Sequence, residues 1–288
     1  MKKLILKYLP IAIALLLVGA CFLALNIYKG SFAEYAVFSY SGNSYSFDMN
    51  ISASGRVISL DALNRVSFEI KDSVRSVMGM DIADAAAYLE ETLKEEIVIV
   101  SVTGAEKNEL PAEKLRELAY RASDALKGSH LVSYGGYVES DMNRVNTFEL
   151  SLGRIATITD FADYCAENIE NCYVDTYAVA PADLESLAYY VNYIKNEVLS
   201  EDKRDGVLID TSHVVFKTAY ITVDEARALI DEGSEKWYGE KVDDFVYSGI
   251  AFNNGELRYK FTTNYYGYES FVYVAMTDGV VFFEDEGY

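Results

Sequence analysis

The chain has 288 residues, 51% of them hydrophobic, and its 45 acidic against 25 basic side chains give a formal net charge of −20. Lys2, Lys3, Lys7 and Lys29 all precede Gly30 and every acid follows it, so the body of the protein repels nucleic acid and anionic surfaces, which excludes a nucleic-acid role. The 3 prolines exclude a proline-rich stalk, and the length suits one large or two ordinary domains.

In chain order, residues 1–7 form a stub too short to fold, and residues 8–28 contain no charged side chain. As a helix rising about 1.5 Å per residue this run is about 31 Å long, the thickness of a bilayer core, so the expected first partner is a lipid bilayer. The lysines ahead of it predict a cytoplasmic N-terminus and an extracytoplasmic bulk. Two other readings of the run stand beside an uncleaved anchor. Ser31-Phe32-Ala33 offers a signal-peptidase site, and Leu17-Val18-Gly19-Ala20-Cys21 resembles a lipobox in which Cys21 is lipidated, although Phe22-Leu23-Ala24-Leu25 prolongs the apolar run past it. All three readings put the folded part outside the cytoplasm.

Beyond the anchor, Tyr45, Phe47, Met49 and Ile51 alternate with Ser46, Asp48, Asn50 and Ser52, the period-2 pattern of a half-buried strand. Turns at Ser41-Gly42-Asn43 and Ser54-Gly55-Arg56 predict a meander with strands at Tyr35–Tyr40 and Val57–Leu60. A helix is predicted from Ile82 with Asp81 as N-cap and Ile82, Ala86, Leu89 and Leu93 on its inner face. The run Ile97–Val102 predicts a buried strand. Pro111 opens a second helix, with Leu115, Leu118, Ala122 and Leu126 inward and Gly128 as its stop, before a strand at Leu131–Val138. This order describes an α+β fold with a helix-covered sheet.

These residues resemble a family. Asp48-Met49-Asn50-Ile51-Ser52, Gly55-Arg56-Val57-Ile58-Ser59, Ala62-Leu63-Asn64 and Ser151-Leu152-Gly153-Arg154-Ile155 are similar, in order, to motifs of the extracytoplasmic domain of RsgI-type anti-sigma factors: D-x-N-P-S, a G-x-V-x-S strand, an L-N turn and an S-x-G-K/R helix start. The resemblance spans residues 34–200. It implies a sensor or signalling role, yet residues 1–7 cannot form the cytoplasmic domain with which that family sequesters a sigma factor. It also implies a self-cleavage junction at Asn50-Ile51. There the family's proline blocks the competing attack by the next backbone nitrogen, whereas Ile51 restores that N–H, so the junction reads as vestigial.

Cys165 and Cys172 would stand about 10.5 Å apart along one continuous helix, so a bridge requires that helix to end near Asn168 or Asn171; the alternative is two small buried side chains. From Pro181 to about Ser200 the residues Leu184, Leu187, Val191, Ile194 and Val198 predict a helix with a core-facing seam. Glu201–Gly206 is a charged break and the expected domain boundary, leaving residues 207–288 as a second unit. That unit should contain a strand at Val214–Tyr220 and a short helix opened by the Thr222–Glu225 capping box and ended at Gly233. Hairpin strands should follow at Phe245–Phe252, Leu257–Thr262, Ser270–Met276 and Val280–Phe283, the first pair joined by Asn253-Asn254-Gly255. Ile221–Ala226, Phe271–Val274 and Asp278–Val281 make it similar to the PepSY module, although Ala275 stands where that family usually has an aspartate. That resemblance implies binding or inhibition of an exported peptidase or a wall component.

Nothing in the sequence points to an enzyme, a cofactor or a metal. The 2 histidines, His130 and His213, fall in different units without a carboxylate or thiol at motif spacing. No P-loop, dinucleotide fingerprint or EF-hand loop occurs. Asp243-Asp244 and Glu284-Asp285-Glu286 read as solvated charge before weak calcium ligands. Of the 24 tyrosines, Tyr265, Tyr266, Tyr268 and Tyr273 gather at one hairpin and form a candidate binding face, against the plainer reading of good strand formers. The expectation is a non-catalytic, single-pass membrane-anchored sensor, signalling accessory or binding protein of a bacterial envelope, whose partner is an unknown envelope protein or wall ligand.

Overall fold

The computed structural model of the chain describes residues 36–105, 111–170, 172, 174–239, 244–253, 255–265 and 268–284. Strands β1 (Ala36–Gly42) and β2 (Ser46–Ile51) form an antiparallel hairpin with Phe38 opposite Met49 and Ser39 opposite Asp48. The period-2 pattern holds, because Phe47, Met49 and Ile51 are fully buried on one face with Phe38 and Tyr40. The third strand of the meander does not form where it was expected. Gly55, at a φ of 81°, turns the chain so that the N–H groups of Ile58 and Ser59 both reach the Asn50 carbonyl. Val57 is left with a single bridge to Ile51, and the pairing with β2 passes to the short β3 (Asp61–Ala62).

Helix α1 (Arg65–Ile70), which the sequence pattern does not announce, starts at Asn64, whose side chain accepts from Ser67 N–H. Helix α2 (Ile82–Leu93) starts as expected at Asp81, whose carboxylate accepts from Ala83 N–H at 3.1 Å. Strand β4 (Ile97–Ala105), helix α3 (Ala112–Ser123) and strand β5 (Ser129–Tyr137) then make a parallel crossover unit. Helix α3 stops at Ser123, short of the expected Gly128, yet Leu126 is still buried. Helices α4 (Glu139–Phe148), α5 (Leu152–Asn168), α6 (Thr176–Val179) and α7 (Leu184–Tyr193) follow. Helix α7 begins after Asp183 rather than at Pro181 and runs into a π-helical turn, Ile194–Val198. Leu184, Leu187, Val191 and Ile194 are buried as expected. The wider turn then rotates the end of the seam outward and leaves Val198 40% exposed.

The charged segment Glu201–Gly206 winds into a 3₁₀ helix held against α5, where Tyr164 donates its hydroxyl to the Lys203 carbonyl at 2.6 Å and Lys203 Nζ donates to the Asn168 carbonyl at 2.9 Å. Strand β6 (Ile209–Asp210) then pairs with β5, so the first sheet takes in residues beyond the charged segment. The strand expected at Val214–Tyr220 joins neither sheet. Three of its N–H groups are taken by side chains instead: Val215 donates to Ser129 Oγ, and Lys217 and Thr218 both donate to Glu185 Oε1. The capping box is present, with Thr222 and Glu225 each accepting the other's N–H, but helix α8 (Val223–Tyr238) runs past Gly233 and ends at Gly239, at a φ of 77°. Strands β7 (Val246–Asn253), β8 (Glu256–Tyr265), β9 (Tyr268–Ala275) and β10 (Val281–Glu284) complete the chain.

The protein is thus α+β. A six-stranded sheet has the order β3-β2-β1-β4-β5-β6, and an antiparallel four-stranded sheet has the order β10-β9-β8-β7. Helices α2 and α3 cover one face of the larger sheet over Phe38, Tyr40, Val98, Val100 and Val102. Helix α5 crosses the other face, and α7 touches both β4 and β8, which places it between the two sheets. One apolar cluster runs from Ile99 and Leu131 through Phe161, Leu187 and Tyr190 to Phe261 and Val272. Helix α8 packs on β9 and β10. No helix among the described residues is long and apolar enough to cross a membrane, and the run 8–28, with Cys21, lies outside them.

Candidate functional site

The motifs at β2 and at the start of α5, separated by about a hundred residues of chain, meet in space. An α-helix begins with N–H groups that have no partner within the helix. At α5 three of them find side-chain acceptors: Leu152 N–H donates to Asp48 Oδ2 at 2.9 Å, Gly153 N–H to Ser39 Oγ at 2.9 Å, and Arg154 N–H to Ser151 Oγ at 3.2 Å. Ser39 Oγ donates in turn to Asp48 Oδ1 at 2.5 Å, so one hydroxyl and one carboxylate on neighbouring strands form a single cap. Gly153 is required here. A β-carbon at this position would stand 2.6 Å from the β-carbons of both Ser39 and Ser101.

Burial pushes the Asp48 carboxyl up to about 6, against the lowering pull of the Ser39 and Leu152 bonds. The buried Arg154 guanidinium is likewise pushed down to about 10 by burial, partly offset by Asp183. It bridges two chain segments, donating to the Gly42 carbonyl at 3.5 Å and to the Ala182 carbonyl. The turn of the same hairpin also serves α7, because Asn43 Oδ1 accepts from Leu184 N–H at 3.0 Å. The β1–β2 hairpin therefore fixes the N-termini of two helices at once.

Asn50 and Ile51, the candidate junction, lie at the end of β2. Ile51 is fully buried. Asn50 donates its side-chain amide to Ser59 Oγ at 2.8 Å, and its carbonyl accepts from Ile58 N–H at 2.8 Å. Of the tyrosine face, Tyr273 lies in the middle of β9; Tyr265 and Tyr268 are paired at the tip of the β8–β9 hairpin, and Tyr266 lies outside the described residues. Other tyrosines converge instead. Tyr189, Tyr193 and Tyr220 line an open groove of about 500 Å³ with Phe216, Asn192 and Thr218; the Tyr189 and Tyr220 rings are 4.3 Å apart, and Tyr247 donates its hydroxyl to Tyr193 at 2.9 Å. Only the tyrosines at 189, 190 and 193 give a helical signal in the sequence, and the partner segment around Tyr220 shows none.

The two histidines, assigned by the sequence to separate units, stack with ring centroids 4.6 Å apart and planes 9° from parallel. The buried His130 has both ring nitrogens engaged, with Ser123 Oγ and with the Gly128 carbonyl, each at 2.8 Å. Burial holds His130 below its ordinary value, and neighbouring His213 adds to this. A second cavity of about 310 Å³ lies between α5, β5 and the segment Gly206–Ile209. On its wall Asp160 is pushed up to about 7 by burial, reinforced by Asp141 and Asp163, above a Ser133–Thr157 hydroxyl pair. No group of three or more candidate ligands for a metal occurs among the described residues. Of the expected acidic pairs, Asp244 accepts from Thr263 Oγ1 at 2.5 Å, while Asp243, Asp285 and Glu286 lie outside the described residues. No family model matches the chain, and no curated protein matches it.

Proposed function

We propose that the chain is a non-catalytic, single-pass membrane-anchored sensor, signalling accessory or binding protein of a bacterial envelope, in which an RsgI-like extracytoplasmic domain is followed by a PepSY-like module. The observation that carries this reading is the position of the first described strand. β1 follows the apolar run closely, is paired on both sides within the larger sheet, and with β2 holds the starts of α5 and α7. A load on such an anchor, or a ligand on such a body, acts on the centre of the sheet rather than on a loose edge. The fractionation test is direct. Full-length protein should sediment with membranes, and protease added to intact spheroplasts should digest its C-terminal part; protection would reverse the topology.

A second reading, a PepSY-type binding or inhibitory module, is favoured by the capped helix α8 on the antiparallel sheet β7–β10. Self-cleavage at Asn50-Ile51 has the least support. The Asn50 amide is tied to Ser59 and its carbonyl to Ile58, rather than amide and carbonyl being set against each other, and Ile51 supplies the N–H that favours the competing route. Denaturing electrophoresis should show one intact chain, with Ile51→Pro the substitution best suited to create scission. A wild-type split near residue 50, lost in Asn50→Ala, would put self-cleavage first.

A further inference from the structure

We propose that Cys165 and Cys172 form a dithiol that closes to a disulfide by exchange with an external disulfide. Helix α5 ends at Asn168, between them. Ile169 leaves the helix in an extended conformation (φ −124°, ψ 122°) while its carbonyl accepts from Cys172 N–H at 3.3 Å, and this turn folds Cys172 back onto the last helical turn. A continuous helix would hold the two residues about 10.5 Å apart along its axis. Here Cys172 packs against the apolar cluster that contains Cys165 and Tyr190, and the two thiols are near enough to influence each other and the Tyr190 hydroxyl. No other cysteine occurs among the described residues, and both thiols are free.

The two are unequal in a way that orders the steps. Cys165 is fully buried, and burial together with Cys172 pushes its thiol up to about 12; Cys172 is only half-buried, so its sulfur is the one an external disulfide can reach, and although burial raises its thiol too, neighbouring Cys165 pulls it back down. Cys172 therefore reacts first. It loses its proton to solvent and its sulfur attacks one sulfur of the external disulfide, forming a mixed disulfide and releasing one thiolate. Cys165 then gives up its proton and attacks the Cys172 sulfur, closing the bridge and releasing the second thiolate. Two protein thiols are oxidised, and the external disulfide is reduced to two thiols that take up the protons. Only the place where this happens rests on the extracytoplasmic reading.

The test uses full-length protein in detergent, reduced, freed of reductant and incubated with oxidised glutathione. It is then denatured, treated with N-ethylmaleimide and digested with trypsin, which leaves both cysteines in the one peptide ending at Lys195. The expected peptide carries no maleimide and is two hydrogens lighter than the dithiol form. Cys165→Ser should stop at a glutathione adduct on Cys172, and Cys21→Ser should change nothing. A peptide that keeps both maleimides when the folded protein is oxidised, but closes when the protein is first unfolded in urea, would overturn the proposal. The same peptide taken from cells alkylated at harvest separates the two readings. Closure there supports both, whereas a dithiol there with closure in detergent keeps the bridge and counts against the extracytoplasmic location.

Discussion

The two faces of the larger sheet are built from alternate residues of the same strands and differ in chemistry, one wholly apolar and the other apolar with a band of hydroxyls. Toward α2 and α3 the strands present Phe38 and Tyr40, then Val98, Val100 and Val102, then Val132; toward α5 and α7 they mix Ile97, Ile99 and Leu131 with the hydroxyls of Ser39, Ser41, Ser101, Thr103 and Ser133, all buried. The first face is held by apolar area, which is strong and tolerant of direction. The second gives up some area for hydroxyls small enough to let Gly153 close in, and the start of α5 is then set by its N–H groups donating to Asp48 and Ser39. Burial alone would allow α5 to slide or tilt; caps with defined geometry do not.

The largest effect should come from the apolar face. Phe38→Ala is expected to cost about 3–5 kcal/mol in urea unfolding, and a loss below about 1 kcal/mol would remove the contrast between the faces. On the hydroxyl face, Gly153→Val forces α5 off the sheet and should cost about 3 kcal/mol, with Ser101→Gly in the same chain recovering part of it. No recovery would mean that the close approach is not what selects glycine. Asp48 sharpens the comparison through pH. Unfolded, it ionises near 3.8, whereas the fold resists ionisation until about 6, so its contribution to stability falls as pH rises across that interval, roughly 3 kcal/mol in all. Asp48→Asn should flatten this slope in denaturation curves between pH 4 and 6. The smallest effect belongs to the histidine stack. His130 is held neutral, so its contribution is present above the unfolded value of 6.5 and is lost as pH falls below it. His213→Ala should cost about 1 kcal/mol at pH 8 by removing the ring contact, and should make the loss on acidification shallower.

Much of the α+β fold was legible because single periods and caps decide those elements. The Tyr45–Ser52 alternation, Asp81 before α2 and the Thr222–Glu225 box each correspond to an observed strand or helix start. The pattern failed where partners distant in sequence decide the outcome. Val214–Tyr220 has the residues of a strand, but Glu185 and Ser129 take three of its N–H groups before any sheet can. Helix α8 passes Gly233, which lies beside the Phe283 ring, a neighbour invisible to local propensity. The α5 junction was half visible. Its motifs could be picked out in order, but nothing within either one says that Asp48 accepts from Leu152, since the link exists only once the sheet has brought them together.

The hairpin that holds two helices also sets a timetable. Synthesis proceeds from the N-terminus, so β1 and β2 emerge before α5 and α7, carrying Asp48 and Asn43, whose helix partners lie 104 and 141 residues further on. Until Leu152 and Leu184 have left the ribosome, this hairpin cannot make the contacts that fix it to α5 and α7. The long sequence separation of these contacts makes the chain a slow folder, and its N-terminal hairpin the segment that depends longest on being kept from other chains.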